Sequence, residues 1–438
     1  MQQYDGYEDR VISRYSMPQM TALWTDQARY TTWTRIEVLA AEAQVILGRV
    51  PDHALTEIRR APAPSVERVA EFERERDHEV LGFLAAFCEA LPANSARWVH
   101  LGMTSYDLVD TGLGYTLAGS CDLLLAAVRR LRNVLVDRAL AEWNTLCIGR
   151  THGMHAEPTS FGHKLAGFAF AIERSARRLV AARGAVAVGT VSGSVGTYAL
   201  IDPFVEKHVC AELGLGIEDM PSQVVARDRH AELMQAVATL GSCVEQVATE
   251  IRLLSRTEVR EVEERRTGAY QGSSAMPHKR NPTTSERLCG LARLLRGYAG
   301  TALEDVALWH ERDLSHSSVE RVVLPDAMAV AHYQTTAAAD LVETLEISSV
   351  RMRAAIDDTG GLVMSSAVLA DLLAGGVERE RAYRAVQAAA NRVLEHGGDF
   401  ASVLAAQGVE VEAMRPERFL VNHDVLYERL ADLRDNDH

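Results

Sequence analysis

The residues best equipped for chemistry stand together in one stretch, Gln271-Gly272-Ser273-Ser274-Ala275-Met276-Pro277-His278-Lys279-Arg280-Asn281-Pro282. Gly272 relaxes the backbone, and Pro277 and Pro282 each restrict the preceding residue and interrupt a helix. The stretch therefore reads as a shaped loop. It presents serine hydroxyls, while Lys279 and Asn281 can set a cation and an amide beside an anion. Residue types alone leave two readings open: a nucleophilic or basic serine next to an anion clamp, or a polar surface loop capping a helix.

Other chemistries find less support. Thr151-His152-Gly153-Met154-His155 places two histidines three apart, but no third ligand type follows at metal spacing, so no metal centre is expected. Neither a GxGxxG nor a Walker loop is present, which disfavours dinucleotide and P-loop folds. The cysteines at 88, 121, 147, 210, 243 and 289 are scattered without CxxC pairs and read as reduced core thiols of a cytosolic protein. With 46 Lys and Arg against 60 Asp and Glu, the net charge of −14 argues against wrapping nucleic acid. An anionic small molecule needs only a local positive pocket. No secretory signal is read at Met1-Gln2-Gln3-Tyr4-Asp5. No uncharged apolar span of about 20 residues is found, so no membrane helix is expected.

The elements that must position these groups are helical. Leu233, Val237, Leu240, Val244, Val247, Ile251 and Leu254 alternate spacings of four and three, a heptad seam. Phe161, Leu165, Phe168 and Ile172 repeat the pattern, as do Leu124, Val128, Leu131 and Leu135. Such narrow stripes predict a bundle of long helices. Further helices are predicted over 27–48, with Thr25 or Asp26 as cap, and over 65–90 and 377–395. The best strand candidates are 186–195 and 409–411. The 438 residues exceed one compact core. The expectation is an all-α protein with domains at 1–110, 111–350 and 351–438, and long helices that also pack against copies of themselves.

GSSAMPHKRNP resembles the signature loop of the fumarase, aspartase and argininosuccinate lyase superfamily, and within it the adenylosuccinate lyases. Four further stretches share the resemblance: Gly102-Met103-Thr104-Ser105, with Asp107 and Asp110; Gly149 to Thr159; Ser192 to Tyr198; and Leu308 to Arg321. It implies a three-domain fold whose central helix bundle assembles across subunits into a homotetramer, with no cofactor and no metal. The implied reaction eliminates fumarate from adenylosuccinate to give AMP, and from succinyl-aminoimidazole carboxamide ribotide. A base removes a Cβ proton, the carbanion spreads onto the neighbouring carboxylate, and the leaving nitrogen is protonated. Cations and donors aimed at that carboxylate lower the barrier most.

By the same resemblance Ser273 is the base, its alkoxide needing backbone N–H groups and a cation nearby. His152 is the general acid, a role suited to a pKa near working pH, and Glu286 orients it. Lys279, Asn281, Thr104, Ser105, Thr151 and Gln223 would hold the carboxylates. His100 lies near the substrate. Arg14, Tyr15, Arg312, Ser317 and Arg321 would grip the nucleotide, with Arg14, Ser317 and Arg321 suited to its phosphate. Asp77, His78 and Glu79 stand where the family has a basic residue, His and Asp, so that only His78 is kept. Met17, Tyr106, Leu200 and Ala226 depart in smaller ways. The leaving-group half is thus more altered than the succinyl half. Two alternatives follow: a same-family lyase releasing fumarate from another N-substituted aspartate or succinate, and a non-catalytic homologue.

Overall fold

A computed structural model describes residues 13–265, 275–409 and 414–435. The fold is all-α in character, with three short two-stranded pairings among the described residues. The heptad stripes became helices: Leu124, Val128, Leu131 and Leu135 lie buried on Ser105–Ala141, and Leu233 through Leu254 on Asp228–Leu254. On Phe161–Val186 the stripe is buried except at Phe168, which is half-buried. Thr25 caps Asp26–Ile46, accepting from the Ala28 N–H at 3.1 Å.

The chain divides into two compact units. Unit 1 comprises residues 1–129, 174–244 and 290–336, and unit 2 comprises 130–173, 245–289 and 337–438. The five longest described helices, Ser105–Ala141, Phe161–Val186, Asp228–Leu254, Thr283–Glu304 and Ser315–Thr344, contribute residues to both.

In unit 1 an aromatic core anchors the shorter helices. The Trp33 and Phe83 rings meet edge-on at 5.4 Å, and Phe83 stacks on Phe87 at 6.0 Å. The single helix expected over 65–90 is two, Val66–Arg76 and Glu79–Glu89. Asp77 takes the left-handed conformation, φ 51°, and ends the first, while the His78 ring accepts from the Leu81 N–H at 3.3 Å and caps the second. Gly82 then lets the two pack closely, since a Cβ there would lie 2.9 Å from the Glu73 nitrogen.

In unit 2 the main surprise is a β-hairpin, Leu146–Thr151 with Met154–Ser160. It pairs antiparallel, Leu146 opposite Ser160 and Thr151 opposite Met154, with a bulge between Ile148 and Arg150. No strand was expected there. Within 186–195 only Val188–Gly189 is strand, parallel to Gly216–Ile217. Val409 is not in a strand, and 410–411 lie outside the described residues. The C-terminal helices pack around Val368, Val386, Val393, Phe400 and Leu404.

All six cysteines are free, and five of them sit in helices, the sixth (Cys147) in the hairpin. Ser105–Ala141 alone among the described helices is long and apolar enough to cross a membrane by length and composition, but 61% of that window is buried within the protein.

That helix tolerates no side chain at Gly114, where a Cβ would sit 2.1 Å from the Val188 carbonyl oxygen. Gly114→Ala is expected to cost about 1–3 kcal/mol through overpacking. The check is the denaturation midpoint; an unchanged midpoint would show that the backbones can separate freely.

Candidate active site

The sequence-derived site residues fall into both units. In unit 1, Asp107 is the organiser of two motif loops. It is fully buried and accepts from the Thr104 N–H at 2.8 Å, the Ser192 N–H at 2.9 Å and the Gly193 N–H at 3.1 Å. The Thr104-Ser105 turn and the Ser192–Tyr198 loop are thereby pinned to one carboxylate. Burial pushes the Asp107 pKa up to about 6, against the pull of those three N–H groups.

His100 sits in a left-handed conformation, φ 62°, just before that turn. Its N–H donates to Glu37 at 2.9 Å and its ring Nδ1 lies 2.6 Å from the other Glu37 oxygen. Glu37 is buried, with its side chain 1% exposed. Burial works to lower the His100 pKa, but Glu37 and Asp107 outweigh it and the net shift is upward.

Gln223, expected at the carboxylates, and Arg312, expected at the nucleotide, are brought together. The Gln223 amide donates to the Ser194 carbonyl at 2.9 Å, and its oxygen accepts from Arg312 at 3.0 Å. The Arg312 guanidinium lies 3.7 Å from the Tyr106 ring centroid. Tyr106, noted only as a bulky departure, is thus the platform for a candidate nucleotide ligand, and its ring also meets that of His316 at 5.6 Å. Ser317, Arg321 and Glu79 line one cavity, with Glu79 ion-paired to Arg321. Asp77 and His78 are exposed and line no cavity with them. Arg14 is exposed on the turn Ser13–Tyr15, and the Tyr15 ring meets that of Tyr333 at 5.6 Å.

In unit 2, Thr151 and His152 form the hairpin tip. His152 and Gly153 both have positive φ, 55° and 77°, the pattern of a two-residue type I′ turn. His152 is exposed, and among the described residues no hydrogen bond or ion pair engages it. Behind the tip, Arg150 grips the buried Glu261 with both guanidinium nitrogens, at 3.0 and 2.5 Å. Thr151 lines a cleft of about 1530 Å³ with residues of the C-terminal helices.

Ser273 lies outside the described residues, as do Gln271, Gly272 and Ser274. From Ala275 the loop is described. The Lys279 N–H closes a turn on the Met276 carbonyl at 3.0 Å, and Arg280 pairs with Glu263 at 2.8 Å. Lys279, Asn281 and Glu286 line a second cleft, of about 1290 Å³, whose rim also carries Arg252, Arg256, Arg260 and Arg351. Helix Thr283–Glu304 is capped from Glu264, which accepts from the Thr284 and Ser285 N–H groups at 3.1 and 2.8 Å. Glu286 is left exposed. Lys279, Asn281 and Glu286 thus share a cleft, and Thr151 lines another.

Sequence reasoning missed Tyr106, Glu37 and Glu264. Tyr106 carried a readable signal, an aromatic directly after the Thr-Ser pair. The other two act from positions distant in sequence.

Comparisons with known proteins place the chain in a family. A family model described as Lyase matches residues 14–297, and one described as Adenylosuccinate lyase C-terminus matches 361–430. The adenylosuccinate lyase of Bacillus subtilis (strain 168) is 41% identical over 430 residues, covering 96% of this chain and 100% of that one. That of Synechocystis sp. is 43% identical over 431 residues, with the same coverage of 96% and 100%. Among solved structures, the 3-carboxy-cis,cis-muconate lactonizing enzyme from Pseudomonas putida superposes with a TM-score of 0.88 at 28% identity, covering 96% of this chain and 98% of that one. The fumarate lyase from Mesorhizobium sp. BNC1 gives 0.83 at 26%, covering 96% and 94%.

The His100–Glu37 pair predicts a pH dependence. A histidine whose folded pKa is raised contributes stability that is complete below its unfolded value of about 6.5 and lost as pH climbs through the folded value. The melting temperature should therefore fall above about pH 6.5 in the wild type. In His100→Gln, which keeps a donor but cannot titrate, that part of the fall should vanish. Parallel pH profiles for the two proteins would refute the assignment.

Proposed function

The chain belongs to the adenylosuccinate lyase family, and we propose that it eliminates fumarate from adenylosuccinate to give AMP, and from succinyl-aminoimidazole carboxamide ribotide, in purine nucleotide biosynthesis. The observation that carries this reading is the end-to-end match to adenylosuccinate lyases. The geometry is consistent with it: in unit 1 Ser317 and Arg321 line a cavity walled by Trp24, Trp33 and Tyr106, with Arg312 stacked on Tyr106, and in unit 2 Lys279 and Asn281 line a cleft rimmed by arginines.

In this mechanism Ser273 takes the Cβ proton. The electron pair passes into the adjacent carboxylate, held by Lys279, Asn281 and the Thr104-Ser105 turn. The Cα–N bond then breaks, and His152 delivers a proton to the departing nitrogen. The base and the acid are separate groups: Ser273 gains the proton that leaves Cβ, and His152 gives up the proton that the departing nitrogen takes. Arg14, Tyr15, Arg312, Ser317 and Arg321 hold the nucleotide, and His78 and His100 flank the substrate.

The single chain leaves His152 exposed and puts Thr151 on a different cleft from Lys279, Asn281 and Glu286. We infer that copies of the chain complete the site in a cytoplasmic homotetramer, with Glu286 meeting His152 across an interface. Large apolar side chains exposed beside the motifs support an interface there: Met154 at 70%, Leu200 at 81% and Trp309 at 76%.

The test is the loss of the ultraviolet band of adenylosuccinate on incubation with the protein. Ser273→Ala should abolish turnover. His152→Ala should lower kcat by about 10²–10⁴-fold with a smaller change in KM. Mixing the two variants should restore part of the activity if the site is shared. A loss of binding without loss of turnover would make His152 a ligand instead. A second reading rests on Asp77 and Glu79: if adenylosuccinate is inert with a folded oligomer, the substrate is another N-substituted aspartate.

A further inference from the structure

A small cavity in unit 1, about 100 Å³, is walled by Trp24, Trp33 and Tyr106, and its polar lining includes Arg29, Glu79, Ser317 and Arg321. Glu79 lies between the two guanidiniums. One carboxylate oxygen is 2.5 Å from Arg29 Nη2, and the other accepts from Arg321 Nη2. The Glu79 side chain is only 10% exposed. Arg29 is rigidly held: Asp26 sits 3.0 Å away, and the Tyr30 and Trp33 ring centroids lie 5.3 and 5.6 Å from its guanidinium carbon. Its Nε is buried without a hydrogen-bond partner. An unmet buried donor on an arginine facing a cavity points to a ligand not yet seated there.

We propose that Glu79 is an internal stand-in for the substrate's phosphate, bridging Arg29 and Arg321 until the phosphate displaces it, and that Arg29 is a further phosphate ligand. This rests on the reading of Ser317 and Arg321 as the phosphate grip. A carboxylate spanning two guanidiniums presents two oxygens much as a phosphate does. The exchange replaces a monoanion with a more highly charged group, so neither arginine is left uncompensated at any stage. Glutamate at this position, longer by a methylene than aspartate, reaches both cations from the first residue of helix Glu79–Glu89. Once displaced, it remains at that helix's N-terminus, where a negative charge is favoured. The competition lowers the apparent affinity for any phosphate ester and speeds product release.

Glu79→Gln keeps size and a hydrogen-bonding oxygen but removes the competing charge. The inhibition constants of AMP and of inorganic phosphate should fall by about tenfold, the equivalent of about 1.4 kcal/mol. The rise in melting temperature on adding inorganic phosphate should be larger than in the wild type, a readout that does not depend on turnover. Arg29→Lys, which loses the planar fork, should weaken inhibition by both probes. Unchanged or weaker phosphate binding in Glu79→Gln overturns the proposal and makes Glu79 a direct substrate ligand or a structural brace. Arg321→Ala separates the two readings. If it leaves the KM for adenylosuccinate and the inhibition by AMP unchanged, the phosphate grip itself is wrong. If it weakens both while Glu79→Gln does not strengthen them, only the stand-in role fails.

Discussion

A buried arginine holds three helices of unit 1 in register. Arg227 is 1% exposed and donates to both oxygens of Asp110, at 2.6 and 2.9 Å, and to Glu320 at 3.1 Å. Asp110 belongs to Ser105–Ala141 and Glu320 to Ser315–Thr344, and Arg227 immediately precedes Asp228–Leu254. One guanidinium therefore ties three helices. Glu320 also accepts from His230 at 3.0 Å, and Asp110 from the Val225 N–H at 2.8 Å. Desolvating such charges offsets much of their attraction, so the cluster contributes little net stability. Removing one partner is a different matter, about 3–5 kcal/mol, because it leaves an uncompensated buried charge. The cluster acts as a register lock. Slippage of any of the three helices would break it, and with it the placement of Tyr106, Ser317 and Arg321, each within one turn or so of a locked residue.

The same helix end carries the second constraint. Asp107, one turn before Asp110, recruits three backbone N–H groups from two loops. A little further along, the Thr111 hydroxyl donates to the Thr190 carbonyl and accepts from the Thr190 N–H, at 2.8 and 3.0 Å. Loops rich in glycine and serine have many backbone groups and few side chains with which to satisfy them. Here a run of Asp, Asp and Thr on one helix supplies the missing partners, so that the loop is shaped by the helix and not by its own sequence.

Much of the fold was legible, and the parts that were not have a common cause. The heptad stripes on Ser105–Ala141 and Asp228–Leu254 were readable because helix burial is periodic in sequence. The hairpin at 146–160 was not, because its turn is His-Gly and not one of the strong Asn-Gly or Asp-Gly signals, and its alternation is broken by the bulge at Gly149. The break at Asp77 falls inside the charged run Glu73 to Glu79, which carries neither Gly nor Pro to mark it, and a left-handed backbone ends the helix there. In the site, Gln223 with Arg312, and Glu79 with Ser317 and Arg321, were named from the sequence and are neighbours in space. Glu37 and Arg29 were not named. A carboxylate and a guanidinium on a helix look like solvated surface until the tertiary fold buries them.

The two halves of the candidate site are built on different principles. In unit 1 Arg312 stacks on Tyr106 and bonds Gln223, while Ser317, Arg321 and Glu79 line one cavity, so these contacts are present in the single chain. The succinyl residues described in unit 2 are exposed or half-exposed, on a hairpin tip and a loop. General acid catalysis is favoured where solvent is excluded and a carboxylate lies against the acid. His152 stands on a two-residue turn whose backbone is braced behind by the Arg150–Glu261 fork, as the proposed role would require. The stiffness of the brace is what allows the tip to stay bare. A flexible tip would lose the entropy of ordering each time the site closed, whereas a braced one has its conformation fixed in the fold.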